Sequence, residues 1–238
     1  MSPLALGLGS SRAFGIAKKT APVASLKIYD EVAGAEASFA NLTTSTLFKN
    51  FNVNASIDLP YTSTPLPSIS CANVSGSNIL TIEMWKYINT APGYFDIIFE
   101  IKYASGEYYF IEDEGSMRSS GLTTGQQGWS TTTYNTWRHY VMVLQNSPAR
   151  ITNALDGNRG VNNDVSSLRP GGLATNTTSL DLRFKDSLYG GLANGFIDEI
   201  RISSGDIYNL INNATYTVPT AAFTVDANTK HLFRVKSI

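Results

Sequence analysis

Residues 182–203, LRFKDSLYGGLANGFIDEIRIS, constrain the architecture of this chain more than any other stretch. An apolar beginning runs into a Gly-rich turn. In the segment that follows, Phe196, Ile200 and Ile202 alternate with Glu199 and Arg201. Period-two alternation sends one set of side chains to a buried face and the other to a wet face, which is the pattern of a half-buried strand. Ile79–Tyr87 (ILTIEMWKY) alternates in the same way, and Trp137–Leu144 (WRHYVMVL) does so less cleanly.

The rest of the chain reads as short strands joined by turns. Ser25–Asp30 (SLKIYD) is a strand, Ala33–Phe39 is expected to form a helical turn or two, and Phe48–Leu59 one or two strands. Pro60, Pro65 and Pro67 mark a loop, since each removes a ladder donor. Ile69–Val74 is a further strand. The best hairpin joins Tyr94–Tyr103 to Glu107–Glu112 through Ala104-Ser105-Gly106, with Phe95, Ile97, Phe99 and Ile101 on one face. Trp137–Gln145 and Arg150–Leu155 are strands around a turn at Asn146-Ser147-Pro148. Asp156-Gly157 turns again, 158–178 reads as a long Gly/Asn/Ser loop, and Leu180–Leu188 as a strand.

Composition fits an all-β chain with a weakly charged surface. At 238 residues it has the length of one large sandwich, a class that runs to about 200–250 residues. Charged residues make up 16% and the formal net charge is −1, so no general attraction to nucleic acid or anionic membrane is expected. Cys71 is the sole cysteine, which excludes an intramolecular disulfide; a small buried side chain is expected there. No apolar run approaches the length of a membrane-spanning helix. The first residues, MSPLALGLGSSRAFGIAKKT, lack the basic start and unbroken apolar run of a signal peptide.

Taken together, LTIEMW, WRHYVMVL and GFIDEIRIS resemble the sheet strands of the concanavalin A-like (laminin-G-like) jelly rolls, over roughly residues 78–203. ARITNALDGNRG looks like a hairpin that recurs in laminin-G-like domains. The ending is similar to that of concanavalin A-like domains in tailed-bacteriophage virion proteins: an aromatic approach from Tyr208, Pro219-Thr220, Phe223, Asp226-Ala227-Asn228-Thr229, then a strand at His231–Val235. The resemblance implies a chain end that returns to pair in the sheet. It also implies a virion location and Ca²⁺ as a cofactor to test, with Asp198 the first ligand candidate and Asp156 or Asp181 the second. The alternative for Asp198 is a hydrogen bond to a neighbouring loop. Calcium takes six to eight oxygens, which separate loops would have to bring together.

A catalytic reading has little to stand on. Retaining glycanases on this sandwich carry acids at alternate strand positions, where one face holds nucleophile and acid/base at the required separation. Here the acid clusters are Glu112-Asp113-Glu114 and Asp198-Glu199, and no E-x-D-x-x-E occurs. His139 and His231 are the only histidines, and neither belongs to a zinc or serine-hydrolase motif. No catalytic residue is therefore assigned. For carbohydrate binding, Trp129 and Tyr134 offer faces that stack on sugar rings, with Asn135 beside them for hydrogen bonds.

These features predict an all-β, concanavalin A-like jelly-roll sandwich of two antiparallel sheets over residues 25–238, preceded by an extended arm over residues 1–24. In the arm, alternating Leu4, Leu6 and Leu8, with Arg12 and Phe14, are suited to a neighbouring subunit's groove or sheet edge. The expected function is a non-enzymatic bacteriophage virion protein, decorating the capsid or belonging to the tail or fibre. Its expected partners are other virion proteins and further copies of itself. The alternative is a lectin-like module for host-surface glycans.

Overall fold

The computed structural model describes residues 26–40, 42–46, 50–51, 55–59, 67–74, 77–89, 97–103, 108–112, 117–119, 122–124, 135–167, 172–173, 179–184 and 195–237. Among them are seventeen strands and no helix. The first six are β1 (Leu26–Asp30), β2 (Ala35–Glu36), β3 (Ser38–Ala40), β4 (Thr43–Ser45), β5 (Ser56–Leu59) and β6 (Ser68–Ala72). β7 (Ile79–Ile88), β8 (Ile97–Tyr103), β9 (Tyr108–Glu112), β10 (Met117–Ser119) and β11 (Leu122–Thr124) follow. The last six are β12 (Trp137–Gln145), β13 (Arg150–Leu155), β14 (Asn158–Asp164), β15 (Ser179–Arg183), β16 (Gly195–Ser204) and β17 (Thr229–Ser237).

They form two antiparallel sheets. The larger has ten strands in the order β14-β13-β12-β7-β16-β17-β1-β2, with β5 sharing the β17 edge of β16 and β4 outside β5. The smaller has seven, β11-β10-β9-β8-β15-β6-β3. One core lies between them. Leu80, Ile82, Met84, Tyr140, Met142, Leu144, Ile200, Ile202 and Phe233 of the larger sheet meet Ile69, Cys71, Phe99, Ile101, Leu180 and Leu182 of the smaller. Burying each large aliphatic or aromatic side chain stabilises by about 1.5–3 kcal/mol. Cys71 is free and buried, as its size and polarity led one to expect.

Several elements match the sequence reading. β12 and β13 span the expected residues, and the Asp156-Gly157 turn joins β13 to β14. Both its central residues have positive φ, 44° and 86°, as the two-residue type I′ hairpin turn requires. β8 and β9 pair antiparallel, with a bulge between Ile97 and Phe99. The chain end does return to the sheet, as β17 between β16 and β1.

Other expectations need correction. Residues 33–39 are not helical: a turn at Gly34 leads into β2 and β3, which carry the chain from the edge of one sheet to the edge of the other. The expected loop at 158–178 begins with β14, whose polar sequence hid it because it is an edge strand that holds the C-terminal segment through Arg159 and Asn162. β7 is not half-wet but buried on nearly its whole length, because a later segment covers its outer face.

β16 also differs from simple alternation. Ile197 pairs with Lys86 and Ile200 with Met84, so Asp198 and Glu199 together face the single residue Trp85. This β-bulge moves the face by one residue. Ile197, not Phe196, therefore joins Ile200 and Ile202 in the core, and Phe196 turns to the other side beside Tyr87, ring centroids 6.3 Å apart. At the start of β16, Gly195 has φ 151°, and a Cβ there would lie 1.8 Å from the Tyr87 carbonyl oxygen. Gly195→Ala is expected to cost about 1–3 kcal/mol in chemical denaturation, since backbone must move to admit it; an unchanged midpoint would refute the close approach.

Candidate functional site

The densest chemistry among the described residues lies on the outer face of the larger sheet, away from the sandwich interior. Residues 205–228 cross this face between β16 and β17 and cover it. Val141, Val143 and Ala154 pack under Leu210, Tyr208, Ile211 and Tyr216. Trp85 and Leu232 pack under Phe223 and Val218, with Phe51 edge-on to Trp85 at 5.3 Å. This covering is why β7 is buried on both faces.

The strap is tied down by polar groups that a free sheet face would expose. Glu83 on β7 is the hub. Its Oε1 accepts from Arg201 Nε at 2.6 Å, and its Oε2 accepts from the Tyr208 hydroxyl at 2.6 Å and from His139 Nε2 at 3.0 Å. A carboxylate accepts only, so His139 Nε2 carries a proton, and Nδ1 lies 2.7 Å from the Tyr216 hydroxyl. Arg201 continues outward, lying over the Phe223 ring and donating to the Thr224 carbonyl. Arg159 donates to the carbonyls of Leu210 and Ile211. The strap's last turn is held by Asp226, whose Oδ1 accepts from the Asn228 and Thr229 amides and the Thr229 hydroxyl.

The electrostatics follow from this geometry. Burial, reinforced by the Glu83 charge, pushes the Tyr208 hydroxyl far above its ordinary range, and burial does the same for Tyr216. Burial favours deprotonation of Arg201, but the Glu83 carboxylate outweighs it and keeps the guanidinium charged. Asp226 is held below the usual range: its burial is outweighed by the hydrogen bonds from Thr229 and Asn228.

Glu199 behaves differently. Its Oε2 accepts the Phe223 amide at 2.6 Å and its Oε1 faces Arg234 at 3.0 Å, yet burial raises its pKa to about 7. A carboxyl that holds its proton more tightly when folded makes the native state less stable as pH rises from about 4.5 to about 7. The loss is at most about 3 kcal/mol. The melting temperature is expected to fall between pH 5 and pH 8, and Glu199→Gln, which cannot ionise, to flatten that fall. Identical pH profiles for the two proteins would exclude Glu199 as the source.

The arrangement fastens a segment; its groups are already committed to one another. Glu83, His139 and Glu199 have no solvent exposure, so none reaches a substrate in this conformation. Sequence reading missed the cluster because its members lie far apart in the chain and only the bulge and the strap bring them together. The one local signal was the Asp198-Glu199 pair inside an otherwise alternating strand.

The expected calcium ligands are not brought together. Asp198 is buried on the strap-covered face, where its Oδ2 accepts the Phe51 amide at 2.6 Å, the neighbouring-loop role set out as its alternative. Asp156 lies three strands away at the β13–β14 turn, held by Arg138 Nε at 2.5 Å and by the His139 amide. Asp181 is on the smaller sheet, accepting from Ser70 and facing Arg183. The described residues contain no group of three or more His, Cys, Asp or Glu that could hold a metal ion. Of the expected sugar-binding residues, Asn135 precedes β12, with φ 58° and its amide donating to the Ile88 carbonyl. Trp129 and Tyr134 lie outside the described residues, as do Leu4, Leu6, Leu8, Arg12 and Phe14 of the arm.

No family model and no curated protein matches this chain. Among solved structures, it is similar to the full extracellular region of zebrafish Gpr126/Adgrg6, at 13% identity and TM-score 0.45, over 74% of this chain and 26% of that one. It is also similar to the conserved carbohydrate esterase of Shiga toxin-encoding bacteriophage phi24B, at 13% identity and TM-score 0.44, over 74% and 96%. A third is tailspike protein 2 of an Escherichia coli O157:H7 bacteriophage, at 11% identity and TM-score 0.41, over 83% and 29%. The chain thus spans less than a third of the first and third of these proteins.

Proposed function

We propose that this chain is a non-enzymatic structural protein of a bacteriophage virion, docked to neighbouring virion subunits by residues 1–24 and by the surface of the sandwich. The observation that carries the reading is the strap. The sequence from Tyr208 to Val235 resembles the ending of concanavalin A-like virion domains, and its Tyr208, Phe223 and Asp226–Thr229 have defined contacts in the fold. Tyr208 and Tyr216 reach Glu83 and His139, Phe223 fills the face above Trp85, and Asp226–Thr229 turns the chain into β17. Those contacts spend the buried acids of the larger sheet on holding the chain together, which favours a rigid, load-carrying module over a hydrolase. Repeated copies would make weak contacts multivalent, so each one can be modest.

Quantitative mass spectrometry of purified particles tests the proposal. Particles should contain the chain in fixed copy number: hundreds per particle for capsid decoration, a few dozen at most for a tail or fibre. Supplying a version without residues 1–24 should give a folded domain that is incorporated at least tenfold less. Absence of the full chain from particles overturns the structural reading and transfers the question to a glycan array. Equal incorporation of the shortened version removes the arm from the mechanism.

A further inference from the structure

A second buried cluster lies inside the sandwich, at one end, and takes no part in the strap. His231 on β17 sits opposite Ile202 of β16, on the core side, with Phe233 stacked parallel to its ring at 5.4 Å. Its Nδ1 is 2.7 Å from Asp30 Oδ2 on β1, in the same sheet. Its Nε2 is 2.5 Å from the carbonyl oxygen of Ala72, at the end of β6 in the other sheet. The side chain therefore joins the two sheets by hydrogen bonds beside the apolar core.

The partners decide the protonation. A peptide carbonyl only accepts, so Nε2 must carry a proton. Asp30 Oδ1 accepts the Val32 amide at 3.1 Å and the Leu232 amide at 3.3 Å, which favours the carboxylate. Against the cost of burial, the ring's hydrogen bond and charge and these two amides hold the Asp30 carboxyl below its usual range. A carboxylate at Oδ2 then demands a proton on Nδ1 as well. Both bonds are made together only by the imidazolium.

We propose that Asp30, His231 and the Ala72 carbonyl form a proton-dependent latch between the two sheets, closed when His231 carries both ring protons and opened at the β6 end when it loses one. In the neutral ring one nitrogen is a lone pair. Facing the Ala72 carbonyl or the Asp30 carboxylate, it replaces an attraction with a repulsion. The stronger, charge-assisted bond to Asp30 keeps the remaining proton, so the Ala72 contact is the one released. The other charged groups nearby leave the latch to this pair. Cys71 on β6 is buried, and burial, with the charges of Asp30 and Asp181, pushes its thiol well up, so it stays neutral. Glu31 pairs with Lys236 and Arg234, Arg234 also pairs with Glu199, and the facing residue on β16 is Ile202.

The test is nitrogen-15 NMR of the imidazole rings together with amide hydrogen exchange on the full chain, from pH 5 to pH 8.5. His231 should show two protonated ring nitrogens at the acid end. Across its own titration, amides at the β6 end and the start of β17 should exchange at least tenfold faster, beyond the intrinsic pH effect. In Asp30→Asn, the amide donates to a neutral Nδ1 while Nε2–H stays on Ala72, so the tenfold step should vanish with the fold intact. His231→Gln, measured alongside, should lose the step too, with the fast exchange present at all pH values. A His231 ring singly protonated at pH 5 overturns the latch, and so does a step that persists in Asp30→Asn.

Discussion

Glu83→Ala is expected to destabilise the protein by about 3–5 kcal/mol, because it removes one member of a buried charge pair and strands the rest. Arg201 loses the acceptor at 2.6 Å that keeps its guanidinium compensated, and the Tyr208 hydroxyl and His139 Nε2–H lose theirs. Each buried donor left unsatisfied carries its own desolvation cost. The damage should begin at the strap, since Tyr208 belongs to it and Arg201 holds Thr224. Urea unfolding gives the magnitude, and limited proteolysis gives the place: cleavage within 205–228 should precede cleavage in the sheets. Glu83→Gln should fall between wild type and Glu83→Ala, because the amide oxygen still accepts one bond. Combining Glu83→Ala with Arg201→Met should cost less than the sum of the two changes, since the second removes the charge the first leaves unpaired. A loss below about 1 kcal/mol for Glu83→Ala would mean the strap is held by its apolar contacts and by the bonds with Arg159, Asn162 and Glu199.

The sheets were legible in the sequence and the strap's role was not. Period-two alternation located β7, β12 and β16, flanking turns located β13 and the β8–β9 pair, and the Asp-Gly turn declared its hairpin, because each signal comes from residues close together in the chain. The unexpected burial of β7 came from residues more than a hundred positions away, which no local pattern reports. The resemblance of the ending to virion domains did indicate that the chain returns to the sheet. It did not indicate that the segment before β17 covers a face and takes up Glu83, His139 and Glu199. Asp198 shows the same limit. Its type and place suited either a calcium ligand or a hydrogen bond to a neighbouring loop, and the bulge brings its Oδ2 to the Phe51 amide. The type of a residue sets which partners are chemically open to it; tertiary structure chooses among them.

Ile200→Asp should abolish cooperative folding. Ile200 has no solvent exposure, pairs with Met84 on β7 and Phe233 on β17, and lies in the main core. Its replacement loses about 2–5 kcal/mol of apolar burial and packing and adds several kcal/mol for a carboxyl with no partner there. That sum rivals the ~5–15 kcal/mol that stabilises an ordinary domain. The residues before it turn this into a test of the bulge. Unbroken alternation would put Phe196 on the face of Ile200 and Ile197 opposite; the bulge at Asp198-Glu199 reverses the two. Ile197→Asp should therefore be as damaging as Ile200→Asp, while Phe196→Asp, on the Tyr87 side, should leave a folded protein with a lower melting temperature. The opposite order, with Phe196→Asp unfolded and Ile197→Asp folded, would restore the unbroken strand. It would also turn Asp198 to the core face, away from the Phe51 amide that its carboxylate accepts.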